Sequence, residues 1–140
     1  MDYDVAAAFA STDLFRTLHR RALKRLVLAA RVVEHPAGKA ITDEGVSGVG
    51  FHLILEGTAN VRVGDHSRPP LGPGDYFGEI SMIDGKPRSA SISAATDMVT
   101  AALTHWMAKP LLTEEPDVTL ALLQHTCALL RAAESDDADS

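Results

Sequence analysis

Apolar residues near the start of the chain recur at spacings of three and four: Phe15, Leu18, Ala22, Leu26 and Ala29. That is the period of one helix face, and Ser11-Thr12-Asp13 ahead of it can accept hydrogen bonds from the free N–H groups of a helix start. The pattern predicts an amphipathic helical segment over residues 1–30, broken near His19. From Arg31 the rhythm changes to short runs between turn residues. Arg31–Glu34, Phe51–Leu55, Thr58–Val63, Ala90–Ala94 and Met98–Leu103 read as strands. Glu56-Gly57 reads as a tight hairpin joining Phe51–Leu55 to Thr58–Val63. Pro36-Ala37-Gly38, the glycine-rich Gly45–Gly50, Pro69-Pro70 and Pro73-Gly74 read as turns or loops. Many short strands with frequent glycine and proline predict a mainly β fold, a jelly-roll or barrel. Helical signals return at Trp106–Leu112, and Pro116 suits the first turn of a second helix, where its missing N–H is harmless. Leu120, Leu123, Cys127 and Leu130 form an apolar stripe on that helix, with Leu122 and Leu129 beside it. The stripe is expected to pack on the strands.

Composition narrows the class. At 140 residues, 46% of them hydrophobic, the chain is long enough for one domain with a real core. The net charge is −6, and Glu134, Asp136, Asp137 and Asp139 supply four negatives, leaving about −2 for the body. An acidic end of that kind predicts a disordered tail over 134–140. The balance gives no electrostatic footprint for nucleic acid. Arg16, His19, Arg20, Arg21, Lys24 and Arg25 form the one basic cluster, read as the wet face of a helix. No apolar run approaches the ~20 residues that span a membrane. Met1-Asp2-Tyr3-Asp4 is an acidic start without a secretory signal, so the expected location is cytoplasmic. A lone cysteine, Cys127, makes no internal disulfide and is expected to be a buried thiol.

Six scattered histidines show no metal-ligand pairing, and no nucleophile–base arrangement can be drawn. The expectation is a binding protein without catalysis, metal or cofactor. A cupin-like metalloenzyme on a similar roll is the weighed alternative. His52 and Glu56 stand four apart in a strand region, but the partner histidine such a site needs is missing.

The richest segment is Phe77-Gly78-Glu79-Ile80-Ser81-Met82-Ile83-Asp84-Gly85-Lys86-Pro87-Arg88-Ser89-Ala90. A carboxylate and a guanidinium stand nine residues apart, with a glycine before one and a hydroxyl residue after the other. A helical turn starting at Gly78-Glu79 would direct free N–H groups at an anion, and Arg88 brings a planar fork of donors suited to phosphate oxygens. Glu79, an acceptor when ionised, suits a sugar diol beside that phosphate.

Here the sequence resembles the phosphate-binding cassette of the cyclic nucleotide-binding domain family. That module serves bacterial catabolite-activator-type regulators, cAMP- and cGMP-dependent kinases and nucleotide-gated channels. Phe77-Gly78-Glu79, Met82 and Arg88-Ser89-Ala90 fill the family's positions at its spacing. Pro36-Ala37-Gly38, Ile41 and Glu44-Gly45 resemble its first hairpin, Ile54-Leu55-Glu56-Gly57 its central turn, and Leu71-Gly72-Pro73-Gly74-Asp75 the approach to the cassette. The resemblance runs from about Leu14 to Leu130.

It implies an antiparallel β-roll of about eight strands flanked by N- and C-terminal helices. The implied organisation is a domain over 1–133, with helical segment 1–30, roll 31–105, cassette 77–90 and lid helices 106–133. It implies a cyclic nucleotide ligand, cAMP ahead of cGMP. Glu79 would hold the ribose 2′-hydroxyl and Arg88 the cyclic phosphate. Ser89 and the N–H groups of Ile80, Ser89 and Ala90 would complete the phosphate shell, with Phe77, Gly78 and Ser81 in the same cassette. The last helix would cap the base. With no aromatic residue after Trp106, the candidates for that lid are Leu122, Leu129 and Arg131. Implied partners are an effector protein or a covalently linked effector domain, with neither nucleic acid nor membrane. A module that keeps the roll but binds no nucleotide is the other reading.

Overall fold

The computed structural model describes residues 3–42, 50–86 and 90–139. Helices α1 (Val5–Ala10) and α2 (Arg20–Ala29) come first, then strands β1 (Arg31–His35), β2 (Ala40–Thr42), β3 (Phe51–Glu56), β4 (Ala59–Val63), β5 (His66–Leu71) and β6 (Tyr76–Phe77). Helix α3 (Glu79–Asp84) separates these from β7 (Ser91–Ala94) and β8 (Met98–Leu103), and α4 (His105–Glu114) and α5 (Pro116–Asp139) complete the chain. The strands form two antiparallel four-stranded sheets, ordered β1-β8-β3-β6 and β2-β7-β4-β5. The expected β-roll flanked by helices is what the chain forms.

Strand alternation gives the first sheet two apolar faces. Phe51 and Leu53 of β3, with Ala101 and Leu103 of β8, face the helices and pack against Phe9, Phe15, Leu26, Leu111, Val118 and Leu122. Ile54 of β3 and Met98 of β8 point the other way, toward Phe77, Ala59, Ile92 and Ala94 between the sheets. Phe9, Phe15 and Phe51 meet with ring centroids 5.9–6.0 Å apart and fix the helical layer to the roll.

Several expectations need correction. The hairpin at Glu56-Gly57 does not form: β3 belongs to one sheet and β4 to the other, so the chain changes layers there. Gly57 makes the corner at φ 88°, and a Cβ on it would lie 2.3 Å from the Asp97 carbonyl oxygen. Pro69-Pro70 lies inside β5 rather than in a turn; β5 is an edge strand paired only with β4, where missing N–H groups are tolerated. Thr12 accepts from the Phe15 N–H at 3.1 Å as a capping residue would, but Ser11-Thr12-Asp13 opens only a turn after α1 and not a helix. Asp4 caps α1, and His19 caps α2 by accepting from the Ala22 N–H at 3.3 Å, so the break near His19 is real.

Helix α5 presents its other face to the roll. Val118 and Leu122 are buried, whereas Leu120, Leu123 and Leu130 are more than half exposed and the Cys127 thiol is exposed. The helical period was legible but not its phase, because two apolar stripes compete on this helix. The helix also continues to Asp139, through the acidic stretch expected to be disordered. The basic cluster is less idle than a wet face: Arg25 pairs with Glu114 and with the buried Glu115 (3.2 Å), Arg21 reaches Glu115 at 3.6 Å, and His19 reaches Asp117 at 2.9 Å. These contacts tie α2 to the α4–α5 junction. No described helix is long and apolar enough to cross a membrane.

Candidate functional site

The cassette is built from β6 outward. Strand β6 pairs with β3 (His52 with Phe77, Leu53 with Tyr76), which buries Phe77 between the sheets. Gly78 then takes a left-handed conformation, φ 86°, and turns the chain directly into α3 with Glu79 as its first residue. Ser81 and Met82 face inward and are almost fully buried, while Ile80 and Ile83 are exposed. Gly85, φ 69°, closes the helix, and the Met82 carbonyl accepts from His105 Nδ1 at 2.9 Å, which pins α3 to α4. Ala90 is buried at the entry to β7.

Glu79 is held from the C-terminal helix. His125 of α5 places Nε2 3.4 Å from Glu79 Oε1, and the two side chains are only 19% and 17% exposed. The ring of Tyr76 stands edge-on to His125 at 5.8 Å, and its hydroxyl donates to Asp13 Oδ1 at 3.0 Å. Burial, and then the Asp13 carboxylate, push the Tyr76 phenol well above the usual tyrosine range, so it remains a donor. Asp13, Tyr76, Glu79 and His125 thus bring the segment after α1, strand β6, the cassette helix and the last helix to one place.

A second polar group lies inside the roll. The buried Thr100 hydroxyl is 2.9 Å from both His35 Nε2 and His52 Nδ1, and His52 stacks on Phe77 at 5.0 Å and 16°. One hydroxyl carries one proton, so at most one of the two rings accepts from Thr100 and at least one donates to it. Desolvation, reinforced by Lys39, lowers the His35 pKa and favours its neutral form. Beside His52 a depression of about 230 Å³ is lined by Val33, Ile41, Gly50 and Ala102 among others.

Phe77, Gly78, Glu79, Ile80 and Ser81 thus form the continuous turn from β6 into α3, and Ala90 is buried where the chain enters β7. Arg88 and Ser89 lie outside the described residues, as do Glu44-Gly45 and most of the glycine-rich loop. Of the three lid candidates, Leu122 is locked in the helix-side core at 1% exposure and supports the helix rather than offering a free side chain. Leu129 and Arg131 are exposed about two and two and a half turns further along α5. His125, Tyr76 and Asp13 are the residues that sequence reasoning missed. The available signal was the spacing of Val118, Leu122 and His125 at four and three, which puts the histidine on the inward face. Among the described residues, no three His, Cys, Asp or Glu side chains come together as a metal site.

Two antiparallel sheets rolled around a strand–glycine–helix cassette, with helices before and after, define a β-roll module. The chain belongs to the cyclic nucleotide-binding domain family, whose model matches residues 32–112. It is 42% identical over 89 residues to a cyclic nucleotide-gated potassium channel of Rhizobium etli, covering 64% of this chain and 25% of the channel. It is 39% identical over 77 residues to a cAMP-dependent protein kinase regulatory subunit of Aspergillus fumigatus, covering 54% of this chain and 19% of that protein. The chain thus spans a quarter or less of the length of these relatives. Among solved structures, the N-terminal domain of a transcriptional regulator from Streptomyces coelicolor superposes with a TM-score of 0.80 at 26% identity, over 95% of this chain and 96% of that one.

Proposed function

We propose that this chain is a sensor for a cyclic purine mononucleotide, cAMP ahead of cGMP, bound in the cassette over 77–90 and reported through the flanking helices to an effector protein or linked effector domain. The observation that carries the proposal is Glu79: a carboxylate mostly withdrawn from water, set by a left-handed glycine at the head of α3 and touched by the last helix. In this reading Glu79 accepts from the ribose 2′-hydroxyl and Arg88 forks onto the cyclic phosphate. Ser89 and the N–H groups of Ile80, Ser89 and Ala90 surround that phosphate. The names of the relatives, a cyclic nucleotide-gated channel and a cAMP-dependent kinase regulatory subunit, support the same ligand class. The site binds and reports, with no bond made or broken.

Titration calorimetry of the purified chain with cAMP and with cGMP tests the proposal. The expected result is saturable one-to-one binding of both, with cAMP tighter. No heat and no saturation with either nucleotide would leave the roll as an interaction module that has kept the fold without the ligand.

A further inference from the structure

Glu79 has two oxygens, and among the described residues one of them has a partner. A carboxylate offers about four lone-pair sites. His125 Nε2 faces Oε1, and Oε2 makes no hydrogen bond among the described residues. The 3.4 Å separation is long for a strong N–H···O bond, so the contact acts mainly by orienting the carboxylate. The imidazole is itself held: Leu122, one turn earlier, is buried in the core, and the Tyr76 ring closes on the histidine at 5.8 Å. Tyr76 is in turn anchored by its hydroxyl to Asp13. A surface histidine would gain nothing from such support. Here one imidazole is fixed from two sides and aimed at the carboxylate on which the proposed site depends.

We propose that His125 is a positioning residue for ribose recognition. It holds Glu79 Oε1 so that Oε2 is presented to the nucleotide 2′-hydroxyl, and it makes α5 the helix that registers a ribonucleotide. The inference rests on the reading of the cassette as a cyclic nucleotide site. Because His125 and the 2′-hydroxyl share one carboxylate, each orders the acceptor for the other, and the coupling is reciprocal. A ligand without the 2′-hydroxyl makes no use of Oε2 and gains nothing from His125.

The test compares cAMP with 2′-deoxy-cAMP on the parent, His125→Ala and His125→Gln, with circular dichroism and thermal melts confirming that each variant folds. His125→Ala is expected to weaken cAMP by about tenfold, in line with losing support for one hydrogen bond to a charged group. The 2′-deoxy ligand should change by no more than about twofold, within the usual additivity error for uncoupled sites. His125→Gln keeps an N–H donor at similar reach and should restore most of the cAMP affinity. Equal losses for both ligands would reduce His125 to a packing residue of α5 and overturn the inference while leaving the cassette reading intact. Unchanged cAMP affinity in both variants would overturn it in the same way. A parent that binds neither ligand fails at the cassette itself, and that outcome is seen before any variant is made.

Discussion

Glu79 concentrates the demands of the cassette on one side chain. In the proposed site it serves as an acceptor while mostly out of water, and its position after a left-handed glycine leaves little freedom in where it points. Glu79→Gln keeps the size and one acceptor oxygen, and is expected to weaken cAMP by ~1.5–3 kcal/mol, the worth of a charged hydrogen bond. The parent should bind 2′-deoxy-cAMP poorly, and the mutant should lose little further on that ligand. Additive losses in this cycle would remove the contact from the account. His35 gives a pH-dependent expectation. Its folded-state pKa is lowered, first by desolvation and then by Lys39, so the unfolded chain binds the proton more readily. The stability it contributes is fully present above the ordinary histidine value near 6.5 and is lost as pH falls from there through the lowered value. Urea unfolding at pH 7.5 and 5.5 should show a smaller pH effect in His35→Gln than in the parent. Equal pH effects would mean that His35 does not carry it. At this scale the motif residues were legible because each has a chemical reason for its type and spacing. His125, Tyr76 and Asp13 were not, since three segments distant in sequence must meet before any of them has a role.

Elements show the same division. The strands with β-branched or alternating composition, β1, β3, β4, β7 and β8, were readable to within a residue or two from residue type alone. Strand β5 was hidden by Pro69-Pro70, which only an edge position tolerates, and the β3–β4 corner looked like a hairpin because a turn signal does not say which sheet the next strand joins. Helix α5 was found, but its phase was set by which of two stripes the core accepts. That phase matters for the proposed relay, since it aims His125 at Glu79 and leaves Leu120, Leu123 and Leu130 outward. A ligand shifts an element only through contacts that differ between states. In the proposed site, contact through Glu79 would supply one such difference for α5. Adding cAMP is expected to slow amide hydrogen exchange both in the cassette, residues 77–90, and in α5 around residues 117–133. Protection confined to the cassette would make α5 a static support.

The whole molecule joins a rigid roll to a helical layer held by two kinds of contact. The Phe9–Phe15–Phe51 cluster fixes α1 and the following turn to the first sheet, and the Arg21/Arg25–Glu114/Glu115 pairs bind α2 to the α4–α5 junction. Helix α2 therefore touches the α4–α5 junction, and α4 and α5 touch the cassette helix, an arrangement suited to passing a local event between the cassette and the helical layer. The central claim, that the cassette binds a cyclic nucleotide through its anion, rests on Arg88. Calorimetric titration of cAMP into the parent and into Arg88→Ala, with circular dichroism as the check on folding, tests it most directly. Removing the guanidinium leaves a desolvated phosphate charge unpaired at a cost of ~3–5 kcal/mol. The expected result is a folded variant whose affinity has fallen by at least ~100-fold. A folded Arg88→Ala chain that binds cAMP as tightly as the parent would contradict it.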